Sequence, residues 1–93
     1  MQKSLHSPAY QHFLKELREA RERVGMTQER LAELLDVHQS FISKCESGVR
    51  RIDVVELRIW VGVLGIGLAE FAMLLDHRLE RHSPPSRSKP RRR

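Results

Sequence analysis

TQERLAELLDVHQSFISKCESG, residues 27–48, is the stretch whose reading decides the fold. Leu31, Ala32, Leu34 and Leu35 fall at helical spacing in one short segment, and Ile42 and Cys45, three apart, mark a second. Between them Asp36, Val37 and His38 leave room only for a tight turn. Two short helices on such a turn pack at a steep angle, the helix-turn-helix arrangement. The second helix then turns a polar face outward. That face carries Gln39, Ser40, Ser43 and Lys44, side chains that can donate or accept hydrogen bonds at base edges and phosphates.

The rest of the chain bounds what this motif can belong to. Ninety-three residues, 40% apolar with five aromatics, allow one small helical core and no enclosed active-site cavity. No 18-residue apolar run and no signal-peptide pattern occur, so the expectation is a cytoplasmic protein with no membrane span. The lone Cys45 forms no internal disulfide and suits a reducing compartment. Net charge needs dividing before use. Residues 1–76 hold ten Lys/Arg against eleven Asp/Glu, whereas residues 77–93 hold seven against one. The part expected to fold is therefore not basic, and a case for nucleic acid rests on where its charges sit.

Working outward, residues 1–8 are polar and aperiodic and read as a flexible arm. A helix is expected over about Ala9 to Val24, with Phe13, Leu14, Leu17, Ala20 and Val24 as its apolar stripe and Gly25 as its left-handed stop. Arg21 lies on or beside that stripe, where an unpaired guanidinium is costly. Thr27 caps a helix over Gln28 to Leu35. Gln28 stands among the unsatisfied N–H groups of its first turn, a ready phosphate site. Asp36 follows in the turn, tolerable there because Asp visits the left-handed region more easily than most residues. A third helix runs over about Gln39 to Ser47 and ends at Gly48.

Asp53 with Glu56 opens a fourth helix with an Asp version of the capping box, Ile52 able to staple onto Leu57. That helix, to Leu64, is apolar nearly all round, more than one stripe requires. A fifth repeats the grammar, with Gly67 as cap and Ile66 facing Phe71, and fades into charge at His77 and Arg78. The surplus apolar surface of these two helices is expected to bury against a second copy, through Ile59, Val63, Phe71, Leu74 and Leu75. From Ser83 the chain is Pro, Ser and cations only and is expected to stay disordered, a candidate electrostatic tether for DNA.

The run T-Q-x-x-L-A-x-x-L-x-V-x-Q-S-x-I-S-K-x-E-S-G closely resembles the phage-repressor-like, Cro/C1-type (XRE) helix-turn-helix family, whose members look like T-Q-E-E-L-A-E-x-L-G-V-S-Q-S-x-I-S-R-I-E-N-G. The likeness extends over roughly residues 10 to 80. It implies a compact, all-α, five-helix, lambda-repressor-like DNA-binding domain at 9–82, with the motif at 27–48 and dimerisation helices at 53–81. It also implies that residues 39–47 form the recognition helix, that Arg21 pairs with Glu46, and that Gln28 touches the DNA backbone while bracing Gln39. Gln39 would then read adenine, Lys44 guanine or a phosphate, and Ser40 and Ser43 base or backbone.

Arg50 and Arg51, just after that helix, are expected to reach flanking phosphates. Three positions depart from the pattern. Asp36 replaces the turn glycine, His38 replaces the Ser/Thr cap, and Cys45 stands where the family has Ile or Leu, as a small core hydrophobe. Phe41 could pack under the helix or touch a thymine methyl. No phosphate-cradling glycine loop, zinc spacing or nucleophile–base–carboxylate set is visible, so no enzyme, cofactor or metal is expected. The expected partners are double-stranded DNA, a second copy and, as the alternative, another protein docked on the C-terminal helices.

Overall fold

In the computed structural model, residues 7–82 are described. They form five helices and, among the described residues, no strand: α1 (Pro8–Arg23), α2 (Gln28–Leu35), α3 (Gln39–Ser47), α4 (Val54–Val63) and α5 (Leu68–Arg81). The all-α, five-helix architecture expected from the sequence is the one observed. The basic tail from Ser83 and all of the N-terminal arm up to His6 lie outside the described residues.

Four of the five helices start where a side chain accepts from a first-turn N–H, while α5 starts at Gly67 with no side-chain cap. At α1 this corrects the expected arm of residues 1–8. Ser7 is the N-cap, its hydroxyl accepting from Tyr10 N at 3.1 Å, and Pro8 fills a first-turn position that needs no N–H. Thr27 caps α2 by accepting from Arg30 N at 3.0 Å. Asp53 and Glu56 close the full capping box on α4, at 2.8 and 3.0 Å. Gly25 and Gly48 end α1 and α3 at positive φ. Asp36 ends α2 at φ 59°, ψ 47°, the left-handed conformation that Asp adopts more easily than most residues.

The core is one cluster centred on Leu17, Leu31, Ile42, Trp60, Val61 and Phe71, all fully buried. α1 runs through it, laying Phe13 edge-on against Phe71 with ring centroids 6.1 Å apart. Cys45 is buried in the same cluster, and burial pushes its thiol pKa up. Gly48 sits so close to α1 that an added Cβ would come within 3.0 Å of Leu14 Cδ1. That contact draws the end of α3 against α1.

Three apolar residues fall elsewhere than expected. Val24 is 49% exposed, because it is the C-cap of α1 and has already turned out of the stripe. Leu34 is 43% exposed, on the side of α2 away from Leu31 and Ala32. Phe71 is at 0% exposure and is no surface residue: the first turn of α5 presses it onto Phe13. Its expected place in a dimer interface is therefore corrected, and Leu75 leans on the same core from its rim. The surplus apolar surface belongs mainly to α4, which buries Trp60 and Val61 and leaves Val54, Val55 and Ile59 more than half exposed; Met73 of α5 is also more than half exposed. α4 and α5 meet at 104°, and no single described helix is long and apolar enough to cross a membrane.

Candidate nucleic-acid interface

The motif is held by a chain of polar contacts that starts in the interior. Arg21 and Glu46, 8% and 7% exposed, form a two-pronged pair: Nε donates to Oε2 at 2.7 Å and Nη2 to Oε1 at 2.9 Å. The third nitrogen, Nη1, donates to the Met26 carbonyl at 2.8 Å, which ties the end of α1 to the loop before α2. The Glu46 carboxylate raises the Arg21 pKa above its ordinary value, so the cation is locked on. Two prongs and a carbonyl leave the buried guanidinium well satisfied, which is what makes its burial tolerable.

From Glu46 the chain runs outward. Gln28 Nε2 donates to Glu46 Oε1 at 3.0 Å, and Gln39 Nε2 donates to Gln28 Oε1 at 3.1 Å. The polarity follows from chemistry. A carboxylate only accepts, so Gln28 must turn its NH2 toward Glu46 and its carbonyl toward Gln39. Gln39 must then donate inward with one of its two N–H groups. Its second N–H and its carbonyl are left for the outside.

Gln39, Ser40, Ser43, Lys44 and Ser47 are all exposed along one side of α3. Gln28, half-buried, borders it at the start of α2. His38 is the N-cap of α3, its Nδ1 accepting from Ser40 N at a long 3.4 Å and lying 3.2 Å from the Ser40 hydroxyl. This contact is the different cap that His brings in place of Ser or Thr. Phe41 is half-buried against the core, and the Arg50 guanidinium lies 4.6 Å from its ring centroid. That places Phe41 under the helix rather than on the outward face.

Arg50 and Arg51 are occupied in ways the sequence did not announce. Arg50 makes two hydrogen bonds to Glu56, at 3.1 and 3.0 Å, and one to the Arg51 carbonyl at 2.7 Å. These contacts raise the Arg50 pKa and lower that of Glu56. Arg51 lies over the Tyr10 ring at 4.9 Å. The two arginines thus brace the loop against α4 and α1.

A second interior network went unread in the sequence. Arg78 Nε donates to Glu16 Oε1 at 2.9 Å, and its Nη2 reaches Glu19. Arg23 adds a 3.5 Å contact to the buried Glu16 carboxylate. The signal was available in Glu16, three after Phe13 and four before Ala20: a carboxylate in phase with the apolar stripe demands a cation. Above this latch the rings of His12 and His82 stack 4.2 Å apart. Among the described residues no group of three or more His, Cys, Asp or Glu could hold a metal ion.

Comparison with known families places this geometry. A helix-turn-helix family model, of the Cro/C1 (XRE) type, matches residues 17–71, more than half of the chain. The chain belongs to that family, and it is a DNA-binding helix-turn-helix regulator. Neither the curated proteins nor the solved structures gave a significant match.

Proposed function

We propose that the protein represses transcription by binding a two-fold symmetric operator as a homodimer, each copy laying α3 into the major groove. The observation that carries the reading is the chain Arg21–Glu46–Gln28–Gln39. It presents the Gln39 amide with one N–H and its carbonyl outward, the pair that matches adenine N7 and N6. Gln28 sits at the positive end of α2, where a backbone phosphate is favoured. Lys44 serves guanine or a phosphate, and Ser40 and Ser43 serve base or backbone. Arg50 and Arg51 act chiefly by holding the loop beside them, because their donors and faces already have protein partners.

The outer face of α4 supports the dimer. Val54, Val55 and Ile59 are each more than half exposed, and Val63 and Leu74 lie half-buried. A second copy covering this face would set two α3 helices for successive major grooves, roughly 34 Å apart. The same apolar face favours one second reading, in which a different protein docks there and the helix-turn-helix regulates expression of the pair. The site of action is DNA in the cytoplasm.

Light scattering on the full chain tests the dimer, and selection from a random duplex pool tests the readout. The expected results are a two-chain mass and a palindromic consensus. Gln39→Ala should then lose about 1–3 kcal/mol of discrimination at one base position. A monomer both free and on DNA would overturn the homodimer. Equal affinity for selected and random duplexes would overturn sequence-specific reading.

A further inference from the structure

A hollow of about 450 Å³ opens between α1 and the C-terminal end of α3, walled by Gln11, His12, Leu14, Lys15, Arg18, Glu46 and Ser47. We propose that it binds a phosphate group, and that the group is a backbone phosphate of the DNA on which α3 lies. The identity of the phosphate rests on the DNA-binding reading; the hollow's affinity for phosphate does not.

The hollow's charge is only loosely compensated. Lys15 has no ion-pair partner among the described residues, and Arg18 meets only Glu22, at 4.0 Å with both side chains about half exposed. The one acid in the wall, Glu46, has both oxygens engaged by Arg21 and one of them also by Gln28. His12 Nδ1 is buried with no hydrogen-bond partner. Burial, then His82, Arg78 and Lys15, lower the His12 pKa; Glu16, on the same helix, is engaged by Arg78 and Arg23. Two cations with no close anion make the donor set a phosphate takes; the Ser47 hydroxyl beside them already donates to the Lys44 carbonyl at 3.3 Å.

Position supplies the second half. Ser47 follows Ser40, Ser43 and Lys44 at helical spacing on the exposed side of α3, so the hollow continues the proposed reading face. A DNA strand bordering the groove would pass its backbone across this end of α3. The loop arginines, already braced against Glu56, Phe41 and Tyr10, leave that role to α1.

The test uses the full chain and the double variant Lys15→Gln, Arg18→Gln. Both side chains are exposed, so the thermal midpoint should hold, and Lys15→Arg with Arg18→Lys should restore wild-type behaviour. With a random-sequence duplex, the slope of log affinity against log salt should flatten by about 0.9, the contribution of one phosphate contact. Inorganic phosphate at constant ionic strength should shift the amide resonances of residues 11–18 and 47 in the wild type and not in the variant. Phosphate shifts with an unchanged salt slope would overturn the DNA assignment and leave a site for a free phosphate compound. Neither effect, with the wild type still binding duplex, would overturn the proposal. A wild type that binds no duplex at low salt would sink the DNA-binding reading itself, and the phosphate titration would then decide the hollow alone.

Discussion

Removing Arg21 should be among the most damaging single changes in the domain, and the structure says by how much. Arg21→Ala deletes both prongs onto a carboxylate that is 7% exposed and strips the Met26 carbonyl of its donor. Glu46 keeps only Gln28 on Oε1, and Oε2 is left buried without a partner. Breaking a buried pair from one side costs about 3–5 kcal/mol, against a total stability of roughly 4–11 kcal/mol for the 76 described residues. At about 4–8 °C per kcal/mol for a domain of this size, the melting midpoint should fall by at least ~12 °C. The assay is thermal or urea unfolding of the full chain followed by circular dichroism. Replacing both partners at once, Arg21→Met with Glu46→Leu, should recover much of the stability, because no buried charge is left behind. It should not recover DNA binding, because Gln28 loses the carboxylate that fixes its amide. A loss under about 0.5 kcal/mol for Arg21→Ala would refute the reasoning, since that is the range of an exposed pair.

Phe71→Ala should cost about 3–5 kcal/mol by opening a cavity against Phe13. Ile59→Lys should leave the fold intact and convert a two-chain mass to a one-chain mass; if Phe71→Ala instead left the midpoint unmoved, its place in the core would be wrong. Acid should destabilise the protein through His12, whose native pKa lies below the ordinary 6.5 through burial and then His82, Arg78 and Lys15. The unfolded chain then binds the proton more readily, so this contribution is full above 6.5 and is lost as pH falls through that value and the lower native one. Melting midpoints between pH 7.5 and 5.5 should fall for the wild type and fall less for His12→Gln; equal slopes would exclude His12 as the cause. Arg50→Ala should lower stability by only ~0.5–1 kcal/mol, since its pair with Glu56 is partly exposed. It should also change the salt dependence of duplex binding by less than one full phosphate contact; a change of a full contact would return Arg50 to the DNA backbone.

What could be read in advance were the features with local causes. Thr27, Asp53 and Glu56 mark helix starts because a side-chain oxygen three residues away satisfies a particular N–H. Gly25, Gly48 and Asp36 mark stops because the backbone there is left-handed. The pattern of residues 27–48 carried the rest of the motif. Ser7-Pro8 had the same kind of signal, hidden because the residues before it are aperiodic. The rotation of α4 and α5 was not legible. When a helix is apolar nearly all round, periodicity cannot say which side faces the core, and so Phe71 and Ile59 looked alike although one is at 0% exposure and the other at 54%. Nor was the pairing of Glu16 with Arg78, 62 residues apart, announced by anything near either residue except the acid's place on an apolar stripe. The engagement of Arg50 by Glu56 was missed for a different reason: six residues separate them across a loop whose path no propensity fixes.

The site and the fold meet in one side chain. Glu46 stands near the end of α3, neutralises the cation that α1 buries, and sets which way the Gln28 amide points. Because a carboxylate cannot donate, the order donor-to-acceptor is forced at each step from Gln39 to Gln28 to Glu46. The outward pattern of Gln39, a donor and an acceptor side by side, is then a consequence of a charge in the core rather than of anything on the surface. This coupling explains how a folded part with a slight excess of acid can still be a DNA-binding domain. Its specificity would come from a pre-set amide, and its electrostatics from a few placed cations, Lys15, Arg18 and Lys44 among them, rather than from net charge. It also fixes where tolerance ends. Any change at Arg21 or Glu46 alters stability and readout together.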